Sequence, residues 1–271
     1  MRPSILDSGH RLRARLFFRV TSGGDAPDIV RLLLYRPGFF ARPLLAITVD
    51  AMRGPSEWSA AEREYLGMSI AKLHTCPFCA VTHAEMVRLA GQGEIDADDP
   101  DSARPELRAV WGFIEELHRA PDAAAPPPGV SGRAVREALN VGLVWDVVNR
   151  LANAFGFALR GDQLHSGTRA LHRFGYRFPG FLLAGGPRTD RADPVAALRS
   201  VAAGADGLGE PARSYAALVR DASYKITDDD VARLIAAGHT EDEVFEMTVA
   251  AAVGAALATF DTGRRVAGVM A

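Results

Sequence analysis

The chain has 271 residues, 48% of them apolar and 24% charged. That is ordinary globular composition for one large domain or two small ones, and it excludes disordered, collagen-like and mucin-like architectures. A formal net charge of −2 supplies no basic field to displace counterions from phosphates, so no nucleic-acid partner is expected. The two cysteines are too few for a secreted disulfide scaffold, and their close spacing points to redox or metal chemistry.

The N-terminal stretch MRPSILDSGHRLRARLFFRV carries Asp7 and mixes Arg with apolar residues, unlike a charged region followed by an unbroken apolar core and a cleavage site. A cytoplasmic protein is expected. Alternating β-branched residues are nearly absent, whereas apolar residues return every three or four positions with Ala, Leu, Arg and Glu between them. The expected fold is therefore all-α.

Two opening helices are expected over 26–35 and 41–52, separated by the Pro37-Gly38 turn signal. Ser59 followed by Glu62 is a capping-box spacing, which predicts a helix from Ala60 to Leu73 or His74 that stops near Thr75. Pro77 fits the first position of the next helix, with Cys76 as its N-cap and an end near Ala90. Helical spacing returns over 107–119, before the loop imposed by Pro121 and Pro126 to Pro128. Ser131 starts a further helix expected to reach at least Phe157.

A shift of 109 residues aligns Gly129-Val130-Ser131 with Gly238-His239-Thr240, and Val135, Glu137 and Val144 with Val244, Glu246 and Val253. This suggests two related helical halves, 1–165 and 166–271, with a linker near 180–193. The same shift carries Cys76 onto Gly185 and Cys79 onto Arg188, so only the first half has thiols. Asp228, Asp229 and Asp230 follow Thr227 and are assigned to a helix first turn. The longest charge-free apolar stretch, 247–260, is shorter than the ~20 residues a membrane-spanning helix needs and is expected to be a buried helix.

The chemistry concentrates in EYLGMSIAKLHTCPFCAVTH, from Glu64 to His83, which contains Cys76, Cys79 and His83 as C-x2-C-x3-H. Unpaired amides and the positive end of a helix dipole favour thiolate at a helix N-terminus. Two intervening residues let the sulfurs meet across the first turn, so a sulfenic acid on one can be captured by the other as a disulfide. His83 lies four residues after Cys79 on the same helical face and can accept or relay the thiol proton. Glu64 reaches this site if its helix packs antiparallel across the Thr75 turn; Glu57 and Glu62 compete for any acid role. Haem attachment is excluded because Ala80, not histidine, follows the second cysteine. Zinc on His74, Cys76, Cys79 and His83 is a weaker alternative. No metal or cofactor is expected.

These four residues, a Glu followed by eleven residues and then C-x2-C-x3-H, resemble the redox motif of the alkylhydroperoxidase D-like and carboxymuconolactone decarboxylase superfamily. The resemblance extends to VVNRLANAFGF at 147–157, and spans roughly 56–159. The C-terminal half looks like a cysteine-free version of the same unit. The resemblance implies an all-α helical bundle that oligomerises, and thiol-dependent reduction of organic hydroperoxides through a proton relay of Cys76, Cys79, His83 and Glu64. Phe78 departs from it, since the best-known alkylhydroperoxidases have a histidine before the second cysteine. Decarboxylase relatives generally lack the cysteine pair, which argues against lactone decarboxylation here.

The expected mechanism has Cys79 attack the hydroperoxide and Cys76 resolve the sulfenic acid, with Phe78, Trp145 and Asn149 as candidate pocket residues. The expected partners are an organic hydroperoxide, a dithiol or small redox-protein reductant, and further copies of the chain in a homo-oligomer, with no membrane. Two rival functions are a general thiol-disulfide oxidoreductase and a non-catalytic helical interaction protein.

Overall fold

A computed structural model describes residues 3–185 and 193–269. Among the described residues there are fourteen α-helices and no strand: α1 (Ile5–Ser8), α2 (Leu12–Ser22), α3 (Asp28–Tyr35), α4 (Arg42–Arg53), α5 (Ala60–Leu73), α6 (Pro77–Gly91), α7 (Pro105–Arg119), α8 (Gly132–Ala154), α9 (Gln163–Phe174), α10 (Gly180–Leu183), α11 (Pro194–Ala202), α12 (Ala212–Ala222), α13 (Asp228–Ala236) and α14 (Glu241–Val266). The fold is all-α. Residues 186–192 of the linker expected over 180–193, Arg188 among them, lie outside the described residues; its first part forms α10.

The helix starts follow from the caps. Ser59 and Glu62 form a reciprocal capping box at α5, Thr240 and Glu243 repeat it at α14, and Thr227 with Asp230 does so at α13, which uses the first-turn aspartates as expected. Ser131 caps α8 by accepting from the Ala134 amide. Helix α8 ends at Ala154, short of the expected Phe157, because Gly156 takes a left-handed conformation and the Phe157 amide turns back to the Ala152 carbonyl at 2.8 Å. The 26–35 and 41–52 helices appear as α3 and α4, joined by a π-helical turn at Pro37–Ala41.

Helix α5 is the centre of the molecule: every residue from Ala61 to Ala71 is buried, as expected for a helix covered on all sides. It packs against α6 and α8, and α8 in turn packs along α14. One hydrophobic cluster runs from Leu6 to Val269, so residues 1–165 and 166–271 share a single core. The N-terminal segment is tied to the first turns of α14: the Ser4 hydroxyl donates to Glu241 at 2.7 Å, the Tyr35 hydroxyl to Asp242, and Arg36 to Glu246.

The stretch 247–260 belongs to a longer element than its apolar run implied. Helix α14 has 26 residues and is long and apolar enough to cross a membrane, but 72% of its most apolar window is buried inside the protein. Burial, and not shortness, marks it as a core helix.

The turn between α5 and α6 sets the site. The Thr75 amide bonds the Lys72 carbonyl at 3.1 Å and the Cys76 amide bonds the Ala71 carbonyl at 2.9 Å, which is the Schellman pattern. Its left-handed position, normally glycine, is held by Thr75 at φ 53°. A β-branched residue there costs roughly 1–2 kcal/mol. Replacing Thr75 by Gly relieves that strain and adds chain entropy to the unfolded state, so Thr75→Gly is expected to gain about 0.5–1 kcal/mol in urea denaturation.

Candidate functional site

The Schellman turn sends α6 back along α5, and this brings Glu64 and His83 together. His83 donates from Nδ1 to Glu64 Oε2 at 2.8 Å, with His83 2% exposed and Glu64 fully buried. The antiparallel packing that the sequence required for Glu64 to reach the site is present. Glu57 and Glu62 are engaged elsewhere: Glu57 accepts from Ser131, and Glu62 serves the α5 capping box and pairs with Arg104.

Two further residues complete the surroundings of Glu64, and neither was foreseen. Arg53, in the last turn of α4, donates from Nη2 to Oε1 at 2.6 Å. The Tyr176 hydroxyl, just past α9, lies 2.9 Å from both carboxylate oxygens and donates to them. Consecutive left-handed residues, Gly175 at φ 58° and Tyr176 at φ 64°, make the turn that delivers it. Gly175 was the only signal in the sequence that such a turn exists, and nothing in it indicates the destination.

Burial by itself raises a carboxyl pKa; here the His83 hydrogen bond and the charge and hydrogen bond of Arg53 outweigh it and hold Glu64 below the usual carboxylate range. Glu64 is therefore a buried anion. Burial, reinforced by that negative charge, pushes the Tyr176 phenol well above its ordinary value and keeps it a donor.

The imidazole of His83 is fixed on its other sides as well. The Trp145 ring meets it edge-on at 4.0 Å between centroids, and the Trp145 indole donates to Met52 Sδ at 3.3 Å. A Cβ at Gly67 would lie 3.0 Å from His83 Cε1 and Nδ1 and from Trp145 Nε1. Glycine is needed at this position of α5 because the two rings approach the backbone so closely.

Cys76 and Cys79 are free thiols, 2% and 3% exposed. Cys76 is the N-cap of α6 and Pro77 its first residue, as expected. A hydrogen bond from the Cys79 thiol, supported by the backbone amides of Cys79 and Phe78, lowers the Cys76 pKa against the opposing effect of burial. Burial, the bond to Cys76 and its charge push Cys79 well up. Cys76 is thus the more acidic thiol of the pair, and the Cys79 thiol donates to its sulfur.

Among the proposed pocket residues, Trp145 stands in the site, Phe78 is half-buried and packs edge-on against Phe157 at 5.4 Å between centroids, and Asn149 lies one turn beyond Trp145 on α8. Asn149 is fully buried, and neither of its amide atoms has a hydrogen-bond partner.

The set considered for zinc does not converge. His74 directs Nε2 to Asp146 at 2.6 Å, in a cluster with His118 that the thiols and His83 do not join. No family model matches the chain, and neither a curated protein nor a solved structure matches it.

The proton distribution predicts two separated titrations. A thiol has an ordinary pKa of about 8.5. With the Cys76 value lowered and the Cys79 value raised, thiolate absorbance is expected to rise first at a pH below this and a second time above it. Since the Cys79 thiol contributes most to the lowering, Cys79→Ala is expected to move the Cys76 step upward. An ultraviolet pH titration of wild type and variant measures both.

Proposed function

We propose that the protein is an alkylhydroperoxidase-like thiol peroxidase that reduces organic hydroperoxides through Cys76 and Cys79. The observation that carries this reading is the pairing of an acidified thiol at the N-cap of α6 with a second thiol one turn from His83, whose imidazole is oriented by a buried carboxylate. That arrangement supplies a nucleophile, a resolving thiol and a base with a fixed tautomer.

In the proposed cycle the Cys76 thiolate attacks the terminal oxygen of the hydroperoxide. The O–O bond breaks, the alkoxide takes up a proton and leaves as the alcohol, and Cys76 becomes a sulfenic acid. Cys79, whose raised pKa leaves it in need of a base, passes its proton to His83. Its sulfur then attacks Cys76 and displaces hydroxide, which leaves as water. Glu64 accepts the hydrogen bond from Nδ1 and offsets the charge gained by the imidazole. Starting from one thiolate and one thiol, the pair loses two electrons and the Cys79 proton, the alkoxide draws its proton from water, and a dithiol or small redox protein returns two electrons and one proton while its second proton goes to solvent. This order reverses the one expected from the spacing of His83, because the thiolate is the nucleophile and its stabilising donors lie around Cys76.

Asn149 fits a role in substrate binding. A fully buried amide without a partner costs roughly 1–3 kcal/mol, which a hydrogen bond to a bound hydroperoxide would offset. The absence of the histidine expected before Cys79 is consistent with a relay in which His83 is the base, and Phe78 supplies an apolar wall beside Phe157.

The same reading includes two related helical halves and a cytoplasmic homo-oligomer. The capped helices α8 and α14, which begin 109 positions apart, support the first; α13 stands where the first half has its proline-rich loop, so the correspondence is partial. Exposed Leu12, Leu16 and Val20, one turn apart along α2, support self-association.

The reading is tested by adding cumene hydroperoxide to the reduced protein under argon and locating the products by mass spectrometry. The expected result is rapid consumption of peroxide and a Cys76–Cys79 disulfide. A stable sulfenic acid is expected on Cys76 in Cys79→Ser, and little reaction in Cys76→Ser. Two unchanged thiols contradict the reading, and oxidation by a model disulfide alone moves it to a general thiol-disulfide oxidoreductase.

A further inference from the structure

On the other side of α8, away from any role in thiol chemistry, three donors converge: His74 Nε2 from the end of α5, His118 Nε2 from the last turn of α7 and the Asp146 carboxylate from α8. All of these atoms lie within 4.8 Å of one another. His74 Nε2 is 2.6 Å from Asp146 Oδ1, and His118 Nε2 is 2.8 and 3.0 Å from the two carboxylate oxygens. Asp146 is 1% exposed and lies behind His74 and His118, which form part of the wall of a cleft of about 460 Å³.

We propose that His74, His118 and Asp146 form a three-ligand site for a divalent cation of the zinc class, with its remaining coordination position facing this cleft. The donor set is two imidazoles and a carboxylate on three different helices, the pattern of an open site that keeps a place for an exchangeable ligand. His118 is oriented for it: its Nδ1 donates to the Ile114 carbonyl at 2.8 Å, which fixes the ring with Nε2 toward Asp146. Since carbonyl and carboxylate oxygens accept only, both His118 nitrogens donate in the absence of a metal, and a cation binds by displacing the Nε2 proton.

Arg150 sets the character of the remaining position. It is buried, its Nε donates to the Arg220 carbonyl at 3.0 Å and its Nη1 to the Asp146 carbonyl at 3.1 Å, and Nη1 lies 3.7 Å from Asp146 Oδ1 and 3.4 Å from His74 Nε2. A divalent ion and a guanidinium against one carboxylate leave the cleft positive. The exchangeable ligand is therefore water or a small anion, not a second cation.

The site is independent of the peroxidase reading and is tested without it. Reduced full-length protein is titrated with cobalt(II) chloride, the visible d–d bands are followed, and zinc chloride is used to displace the cobalt. The expected result is a four- or five-coordinate spectrum without thiolate charge transfer. It should persist in the Cys76→Ser/Cys79→Ser double variant and be weakened more than about tenfold in His118→Ala and in His74→Ala. Circular dichroism shows whether each variant is folded, and the double cysteine variant keeps the test valid if a histidine variant is not. The absence of d–d bands in the wild type overturns the proposal, and so does a spectrum that disappears with the cysteines.

Discussion

The structure depends on a carboxylate that has no contact with water. Placing Glu64 at the centre of a fully buried helix is unfavourable unless each of its oxygens is matched, and the matching groups come from three other parts of the chain: Arg53 at the end of α4, His83 on α6 and Tyr176 beyond α9. Removing one partner of such a buried ion group typically costs about 3–5 kcal/mol. The burial therefore constrains how α4, α5, α6 and the segment after α9 are arranged, and it fixes His83 as a by-product of satisfying Glu64.

Helix α8 extends this logic to both of its sides. One face carries Trp145 against His83, followed a turn later by Asn149; the other carries Asp146 and Arg150 against His74 and His118. The α5–α6 turn connects the two: His74 caps α5 and belongs to the Asp146 cluster, its carbonyl accepts from Asn153, and two residues later Cys76 opens α6. Residues one or two apart in sequence thus serve two separate polar clusters, with the strained Thr75 between them.

What the sequence made legible was local. Capping boxes, Pro77 and the C-x2-C spacing each express chemistry within a single turn, so the limits of α5 and the start of α6 could be read directly, and the Glu64–His83 contact followed once an antiparallel turn was assumed. The partners of Glu64 and Asp146 were not legible, because Arg53, Tyr176 and His118 reach them through tertiary packing that no spacing encodes. Helix α9 escaped notice although Leu164, Leu171 and Phe174 recur at helical spacing, because only Thr168 is buried in it and its other positions are mostly polar. The zinc alternative grouped residues by proximity in sequence, whereas the Thr75 turn sends His74 to a different cluster from Cys76 and His83.

In the proposed peroxidase cycle the buried Glu64 anion, by orienting His83, promotes formation of the disulfide. The most direct test of this role is single-turnover oxidation of the reduced protein by cumene hydroperoxide in wild type and Glu64→Gln, with retention of fold verified by circular dichroism and disulfide competence by diamide. Disulfide formation is expected to be at least about 100-fold slower in the variant, the scale of a lost acid-base contribution, while diamide still closes the disulfide. An unchanged rate in a folded Glu64→Gln protein would contradict that role.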